Sequence, residues 1–182
     1  MQKILISDLS RTVLFPTDED YDGSLNDLHE ELSQQDDYQV WDHFRLNEDL
    51  LEFYKKINDK TDVYIFTTRF IQEYPPIAKK LEPIFENIFS VKSDDLPAKS
   101  DPKAYKKLAD KLDIDVEQIV FVDDNTSNTQ AAKEAGVKTV EFNSTEQAIG
   151  DINETIMMSK MPKKAKEMGV EDLGDLEDLI DE

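Results

Sequence analysis

Residues 3–15 read KILISDLSRTVLF, and this stretch decides the fold. Its apolar run at 4–6 is short and ends at a row of small polar residues. Similar Val-, Ile- and Phe-rich runs occur at 63–66, 119–122 and 137–142, with a weaker candidate at 87–91. None alternates cleanly between apolar and polar residues, which is typical of strands buried on both faces of a parallel sheet.

Helical patterns lie between these runs. Apolar residues recur at helical spacing within 47–57, and Asp101 followed by Pro102 marks a helix start. A short helix at 128–135 is closed by Gly136, and Ile149, Ile152 and Ile156 mark the last one. Strands that alternate with helices predict an α/β domain over 1–156, a doubly wound, Rossmann-like parallel sheet with helices on both faces.

Two segments interrupt the alternation. An acidic insert at 15–46 follows the first strand and carries one predicted helix with Leu25, Leu28 and Leu32. It is too small for a large cap domain. The tail at 157–182 has a basic patch followed by an acidic stretch, and we expect it to be helical or partly disordered, with a protein partner as one alternative.

Composition excludes several classes of function. The 182 residues carry 41 acidic and 21 basic side chains, a net charge of -20. This charge argues against binding to nucleic acid or to an anionic membrane surface. Without cysteine, disulfides, thiolate zinc sites and cysteine nucleophiles are ruled out. No apolar run is long enough to span a bilayer and the first residues do not resemble a signal peptide, so we expect a cytoplasmic protein.

Polar side chains follow the predicted strands where ligands bind in open parallel sheets. Asp8 follows the first strand, and Asp123 and Asp124 follow the run at 119–122. Three carboxylates at one edge repel one another and either keep a proton or recruit cations. Mg²⁺ and a lysine would relieve that repulsion, and a carboxylate such as Asp8 can attack phosphorus.

Four motifs in this order resemble the haloacid dehalogenase-like (HAD) superfamily of hydrolases. They are KILISDLSRTVLF with Asp8 and Thr12, VYIFTT with Thr67 and Thr68, KSDPKAY with Lys99, and VFVDDNTSN with Asp123, Asp124 and Asn128. The resemblance implies a HAD-like fold and a Mg²⁺-dependent phosphatase or phosphotransferase that acts on a phosphorylated substrate through an aspartyl-phosphate.

The same resemblance implies the role of each residue. Asp8 would be the nucleophile, Thr67, Thr68 and Lys99 would bind phosphate, and Lys99 would assist catalysis. The metal ligands would be Asp8, the main-chain carbonyl of Ser10, Asp123 and Asp124.

Ser10 departs from the family pattern, which has an aspartate there as the general acid and base. Serine cannot do that work near neutral pH, and such a loss typically costs about 10²- to 10⁴-fold in rate. A non-catalytic HAD-like binding or regulatory protein is therefore the alternative hypothesis.

Further residues carry secondary expectations. Asp18, Asp20, Asp22 and Gly23 match the first half of a calcium loop, but His29 stands at the twelfth position, so a solvated acidic turn is favoured. Arg11 is either an anion contact or a surface residue. We expect Arg69 to be structural, Trp41 and Phe44 to pack on the domain, and His29 and His43 to lie on the surface.

Overall fold

The central sheet of the computed structural model, which describes residues 2–58 and 60–160, has five parallel strands in the order β5-β4-β1-β6-β7. They are β1 (Ile4–Ser7), β4 (Val63–Thr67), β5 (Asn87–Ser90), β6 (Ile119–Asp123) and β7 (Lys138–Glu141). All five predicted strands are present, including the weak candidate at 87–91. Because β1 is central and the chain winds outwards from it in both directions, the doubly wound α/β prediction is confirmed.

Strand side chains alternate between two cores. In β1, Leu5 packs into one core, whereas Ile4 and Ile6 pack into the other. The first core is covered by α3 (Glu48–Asn58), α4 (Pro75–Leu81) and α7 (Thr145–Lys160), and the second by α5 (Pro102–Leu112) and α6 (Thr126–Ala135). Both faces of the sheet are therefore buried, which is why its strands read as continuous apolar runs.

Helix boundaries follow the expected capping chemistry. The Asp101 side chain accepts a hydrogen bond from the Lys103 N–H at the start of α5, with Pro102 as its first residue. Gly136 ends α6 with a φ of 98°, the left-handed conformation that glycine adopts at low cost. The sequence analysis did not identify α4, nor the 3-10 turns Ile71–Glu73 and Val116–Gln118.

The insert is a small structure on the rim of the domain. Strands β2 (Leu14–Pro16) and β3 (Phe44–Leu46) pair antiparallel, and between them lie α1 (Leu25–Leu32) and the short α2 (Val40–His43). The predicted helix with Leu25, Leu28 and Leu32 is present, whereas the pairing of β2 with β3 was not predicted. No large cap is evident in the described part of the chain.

The predicted tail at 157–182 lies almost wholly outside the described residues. Among the helices that the structure describes, none is both long and apolar enough to cross a membrane.

Candidate active site

The site lies at the carboxyl edge of the sheet, where β1 ends between β4 and β6. Ser7 is paired with Ile65 on one side and Val122 on the other. The next N–H, that of Asp8, donates to the Val122 carbonyl at 2.7 Å. This bond extends the pairing by one residue and fixes the Asp8 backbone beside the end of β6.

Lys99 lies at the centre of the site, between two carboxylates. Its ammonium forms one ion pair with Asp8 Oδ1 and a second, at 2.6 Å, with Asp123 Oδ2. Lys99 is buried, in contrast to the exposed Lys92 and Lys103 of the same region. Its Nζ also lies 5.7 Å and 5.6 Å from the ring centres of Phe66 and Phe121, so the charge is held between two carboxylates and two aromatic faces.

Asp123 is held by the start of α6. Its Oδ1 accepts from the Asn125 N–H at 2.8 Å, and the Asn128 side-chain amide lies 3.2 and 3.1 Å from its two oxygens. With Lys99 at Oδ2, the buried carboxylate is fully partnered, and its orientation is fixed before any ligand arrives.

Three carboxylates converge here. Oxygen atoms of Asp8, Asp123 and Asp124 all lie within 4.8 Å of one another, and no other cluster of three or more potential metal-ligating side chains converges in this way within residues 2–58 and 60–160. Their three formal negative charges exceed the one positive charge of Lys99 by two. A hard divalent cation that prefers carboxylate oxygens fits both this charge and these donors.

Burial and mutual repulsion shift the acidities. The pKa of Asp8 is raised to about 7. Burial is the largest cause, Lys99 acts against it, and Asp123 adds to it. Burial, and then Asp123, also raises the pKa of Asp124, whereas Lys99 and Arg11 act in the opposite direction. Burial alone would lower the pKa of Lys99, but Asp8 and Asp123 outweigh it and raise that pKa. The ammonium is therefore charged at neutral pH, while Asp8 is poised between its two forms.

The predicted phosphate-binding threonines lie at the end of β4. Thr67 is buried and Thr68 is exposed. The phosphate-binding role of both residues stays a prediction.

Ser10 lies half-buried in the loop after β1, at the carboxyl edge of the sheet. The loop turns sharply at Arg11, whose φ is 62°. Thr12 is fully buried, and its carbonyl accepts from the Asn47 side chain at 3.1 Å. The metal-binding role of the Ser10 carbonyl also stays a prediction.

Two arginines fasten the insert to this rim. Arg11 Nη2 donates to the carbonyls of Tyr21 and Gly23, each at 2.8 Å. Arg69, just after β4, pairs with Asp27 and, at 3.0 Å, with Glu30 on α1. The structural role expected of Arg69 is confirmed. Arg11 is half-buried and hydrogen-bonded to the insert, and the alternative of an anion contact stays a prediction.

The two histidines, expected to lie on the surface, are only partly exposed. His29 and His43 are half-buried on either side of Tyr38, whose hydroxyl lies 2.8 Å from His29 Nδ1 and whose ring stacks on His43 at 5.7 Å. The His29 ring lies 4.7 Å from that of Tyr74. The contact with Tyr74, which is distant in sequence, helps to cover the His29 ring, and burial lowers the pKa of His29.

Other residues of the insert have distinct environments. Phe44 is buried, whereas Trp41 is 38% exposed. Within the described residues the carboxylates of Asp18, Asp20 and Asp22 do not converge as a metal cluster. Asp18 instead accepts from the Asp20 N–H at 3.1 Å in a local turn.

Tyr105 contributes to the site through its hydroxyl, although the sequence analysis assigned it no role there. Its hydroxyl lies 2.8 Å from the Lys99 carbonyl and 2.9 Å from the Asn128 carbonyl. It therefore links the lysine segment to the helix that holds Asp123. A tyrosine among apolar positions of an amphipathic helix gave no signal of this contact.

Comparison with known proteins agrees with the fold. The family model for haloacid dehalogenase-like hydrolases matches residues 10–136, well over half of the chain, and the protein belongs to that family. A search of curated proteins gives no significant match.

Solved structures resemble the chain at low identity. A predicted HAD-like family hydrolase from Porphyromonas gingivalis has a TM-score of 0.61 at 13% identity, covering 86% of this chain and 98% of its own. A HAD family enzyme from Bacteroides thetaiotaomicron, in complex with magnesium and inorganic phosphate, has a TM-score of 0.58 at 18% identity, covering 78% and 94%. At these identities the similarity shows the fold.

Proposed function

We propose that the protein is a Mg²⁺-dependent phosphatase or phosphotransferase that works through an aspartyl-phosphate on Asp8. The observation that carries the proposal is the buried Lys99 ammonium between Asp8 and Asp123, with Asp124 completing the carboxylate cluster. The magnesium and phosphate bound by the Bacteroides family member are consistent with it.

Asp8, Asp123, Asp124 and the Ser10 carbonyl would hold the metal. When bound, Mg²⁺ would withdraw charge from the phosphoryl oxygens and favour the ionised form of Asp8. Lys99 remains charged next to the nucleophile and would neutralise a second part of the phosphoryl charge. The Thr67 and Thr68 hydroxyls would donate to the same group and orient it for attack.

Two displacements complete the reaction. A carboxylate oxygen of Asp8 attacks phosphorus, and the bond from phosphorus to the leaving oxygen breaks with its electron pair on that oxygen. Water, or another acceptor, then attacks the aspartyl-phosphate and releases the Asp8 carboxylate. Because Ser10 cannot donate a proton, we expect turnover to favour leaving groups that depart as stable anions, such as aryl and acyl phosphates.

A metal-dependent activity panel tests the proposal. Aryl, acyl and alkyl phosphates would be incubated with the full chain in Mg²⁺ and in chelator, beside Asp8→Asn. We expect hydrolysis of aryl or acyl phosphates in Mg²⁺ only, and none by the variant. Turnover that survives in Asp8→Asn or in chelator would contradict the mechanism.

The alternative, a non-catalytic HAD-like protein, rests on Ser10 alone. It predicts no turnover of any phosphate by the wild type, and Mg²⁺ binding that is unchanged by Ser10→Ala. Under the enzyme hypothesis, Ser10→Asp should raise turnover of alkyl phosphates about 10²-fold or more, because it supplies the missing acid.

A further inference from the structure

A buried serine and a buried tyrosine lie directly behind Asp8. Ser7 ends β1 and Tyr54 belongs to α3, and both are fully buried. The Tyr54 hydroxyl donates to Ser7 Oγ at 3.0 Å, and Ser7 Oγ donates to the Asp8 carbonyl at 2.8 Å. Because a serine hydroxyl has a single proton, the two bonds form a chain with one direction, from α3 to the main chain of Asp8.

This chain of hydroxyls lies on the face of the sheet away from the charged groups. Successive side chains of a strand point to opposite faces, so Ser7 shares its face with Leu5, in the first core, which also contains Tyr54. Asp8 points to the other face, where its partner Lys99 lies against an aromatic ring of the second core. The two hydroxyls therefore lie behind the nucleophile and reach it only through its main chain.

The Asp8 main chain is held at both of its polar groups. Its N–H donates to the Val122 carbonyl at 2.7 Å, and its carbonyl accepts from Ser7. A serine side chain by itself has three staggered rotamers, and the bond from Tyr54 selects the one that reaches this carbonyl. With its main chain fixed, Asp8 presents its carboxylate to Lys99 in one direction.

Packing alone does not require either hydroxyl. The Tyr54 ring lies 5.8 Å from that of Phe85 in a core of apolar side chains, and a phenylalanine would make the same ring contact. Ser7 follows three buried apolar residues of β1 and is the polar exception in that strand. A hydrogen bond between two buried neutral groups adds little net stability, because both groups give up water to form it. The reason for the pair therefore lies in what it holds, the Asp8 main chain.

We propose that Ser7 and Tyr54 are positioning residues, which hold the Asp8 carboxylate in line with the phosphorus that it attacks. This inference rests on the proposed function and goes beyond it. No bond to either hydroxyl forms or breaks in the reaction, and neither hydroxyl transfers its proton. The pair acts on the attack step because a nucleophile that is already oriented has less freedom to lose, and a misplacement of about 1 Å can cost about 10²-fold in rate.

Single-turnover kinetics test the inference. The full chain, in excess over 2,4-dinitrophenyl phosphate, is mixed with it in Mg²⁺, and release of dinitrophenolate gives the maximal rate of attack and the half-saturating protein concentration. We expect the maximal rate to fall about tenfold in Tyr54→Phe and about 10²-fold in Ser7→Ala. The half-saturating concentration should change by less than about twofold, because Lys99, Thr67 and Thr68 are untouched.

The double variant Ser7→Ala/Tyr54→Phe separates positioning from stability. In Ser7→Ala the buried Tyr54 hydroxyl loses its acceptor, so the midpoint of urea unfolding should fall. The double variant removes both partners, and part of that midpoint should return. The rate of attack should instead stay as low as in Ser7→Ala, because no hydroxyl reaches the Asp8 carbonyl.

Ile152→Val is the matched control. Ile152 is buried in the same core as Tyr54, on α7, and its truncation also lowers the unfolding midpoint. It should leave the rate of attack within about twofold of wild type. If Ser7→Ala does not fold, Tyr54→Phe decides alone, since it keeps the ring and removes only the hydroxyl.

Each other outcome has a separate meaning. A rate that recovers together with stability in the double variant, or a rate within about twofold of wild type in Tyr54→Phe, would show that the hydroxyls only stabilise the core. Either result would overturn the inference and leave the proposed function standing. A loss that appears only in the half-saturating concentration would overturn it too. Absence of turnover by the wild type on aryl and acyl phosphates would overturn the proposed function itself, and the inference with it.

Discussion

Replacing Lys99 by Met removes the only positive charge that contacts Asp8 and Asp123 in the described structure. The two carboxylates are 5% and 0% exposed, and their oxygens lie within 4.8 Å of each other. At an effective dielectric near 20, two ionised carboxylates about 5 Å apart would repel by about 3 kcal/mol, and protonation of Asp8 relieves that repulsion in the variant near pH 7. Breaking a buried ion pair by removing one partner typically costs about 3–5 kcal/mol, so we expect a loss of about 3 kcal/mol at pH 7 without metal.

The pH dependence makes this prediction specific. The folded-state pKa of Asp8 is about 7, above its ordinary value of 3.8, so the folded protein binds more protons than the unfolded chain between these values. The unfolding free energy of the wild type therefore falls as the pH rises from about 4 to about 7. Above that pH the titration of Asp8 lowers it no further. In Lys99→Met the pKa of Asp8 rises further, so stability should keep falling above pH 7 by about 1.4 kcal/mol per pH unit.

The assay is urea unfolding followed by far-UV circular dichroism in chelator at pH 5, 7 and 8. The difference in unfolding free energy between wild type and Lys99→Met should grow from pH 5 to pH 8. The exposed Lys103→Met is the matched control and should stay within about 0.5 kcal/mol of wild type. A difference that is absent at every pH, or that shrinks as the pH rises, would refute the account of Lys99.

Two further changes test how the fold supports the site. Tyr105→Phe removes the hydroxyl between the carbonyls of Lys99 and Asn128, and it should cost about 1–2 kcal/mol in urea unfolding and lower turnover; unchanged stability and turnover would contradict the link. Gly136→Ala should cost about 1–2 kcal/mol, because φ is 98° there while the new Cβ would lie an ordinary 3.6 Å from Val116. Gly150→Ala, in an open position of α7, should instead stabilise by about 0.5–1 kcal/mol, and a thermal shift of the same sign in both alanine variants would count against this explanation.

The central sheet was predictable because its strands are buried on both faces and separated by helices with clear capping signals, as at Asp101 and Gly136. The pairing of β2 with β3 was not predictable, because each strand has only three residues and one ends in Pro16. Helix α4 has only seven residues and begins with two prolines, so it lacked a periodic signal.

The acidic residues of the site could be predicted from the ends of the strands, because the topology brings Asp8 and Asp123 to one edge of the sheet. The contacts that hold these groups did not follow from sequence. Tyr105 and Arg11 act through main-chain carbonyls, which every residue has, so no side-chain pattern indicates the partner. The partial burial of His29 likewise depends on the packing of Tyr74, which comes from a distant segment.

Phosphoryl transfer to Asp8 is the claim on which the mechanism depends, and trapping the intermediate tests it most directly. The full chain would be mixed with Mg²⁺ and 2,4-dinitrophenyl phosphate, quenched in acid and digested, and the peptides analysed by mass spectrometry. The account predicts one phosphoryl group on the peptide that contains Asp8, absent in chelator and in Asp8→Asn. A phosphoryl group on any other residue, or turnover without a phosphorylated peptide, would contradict it.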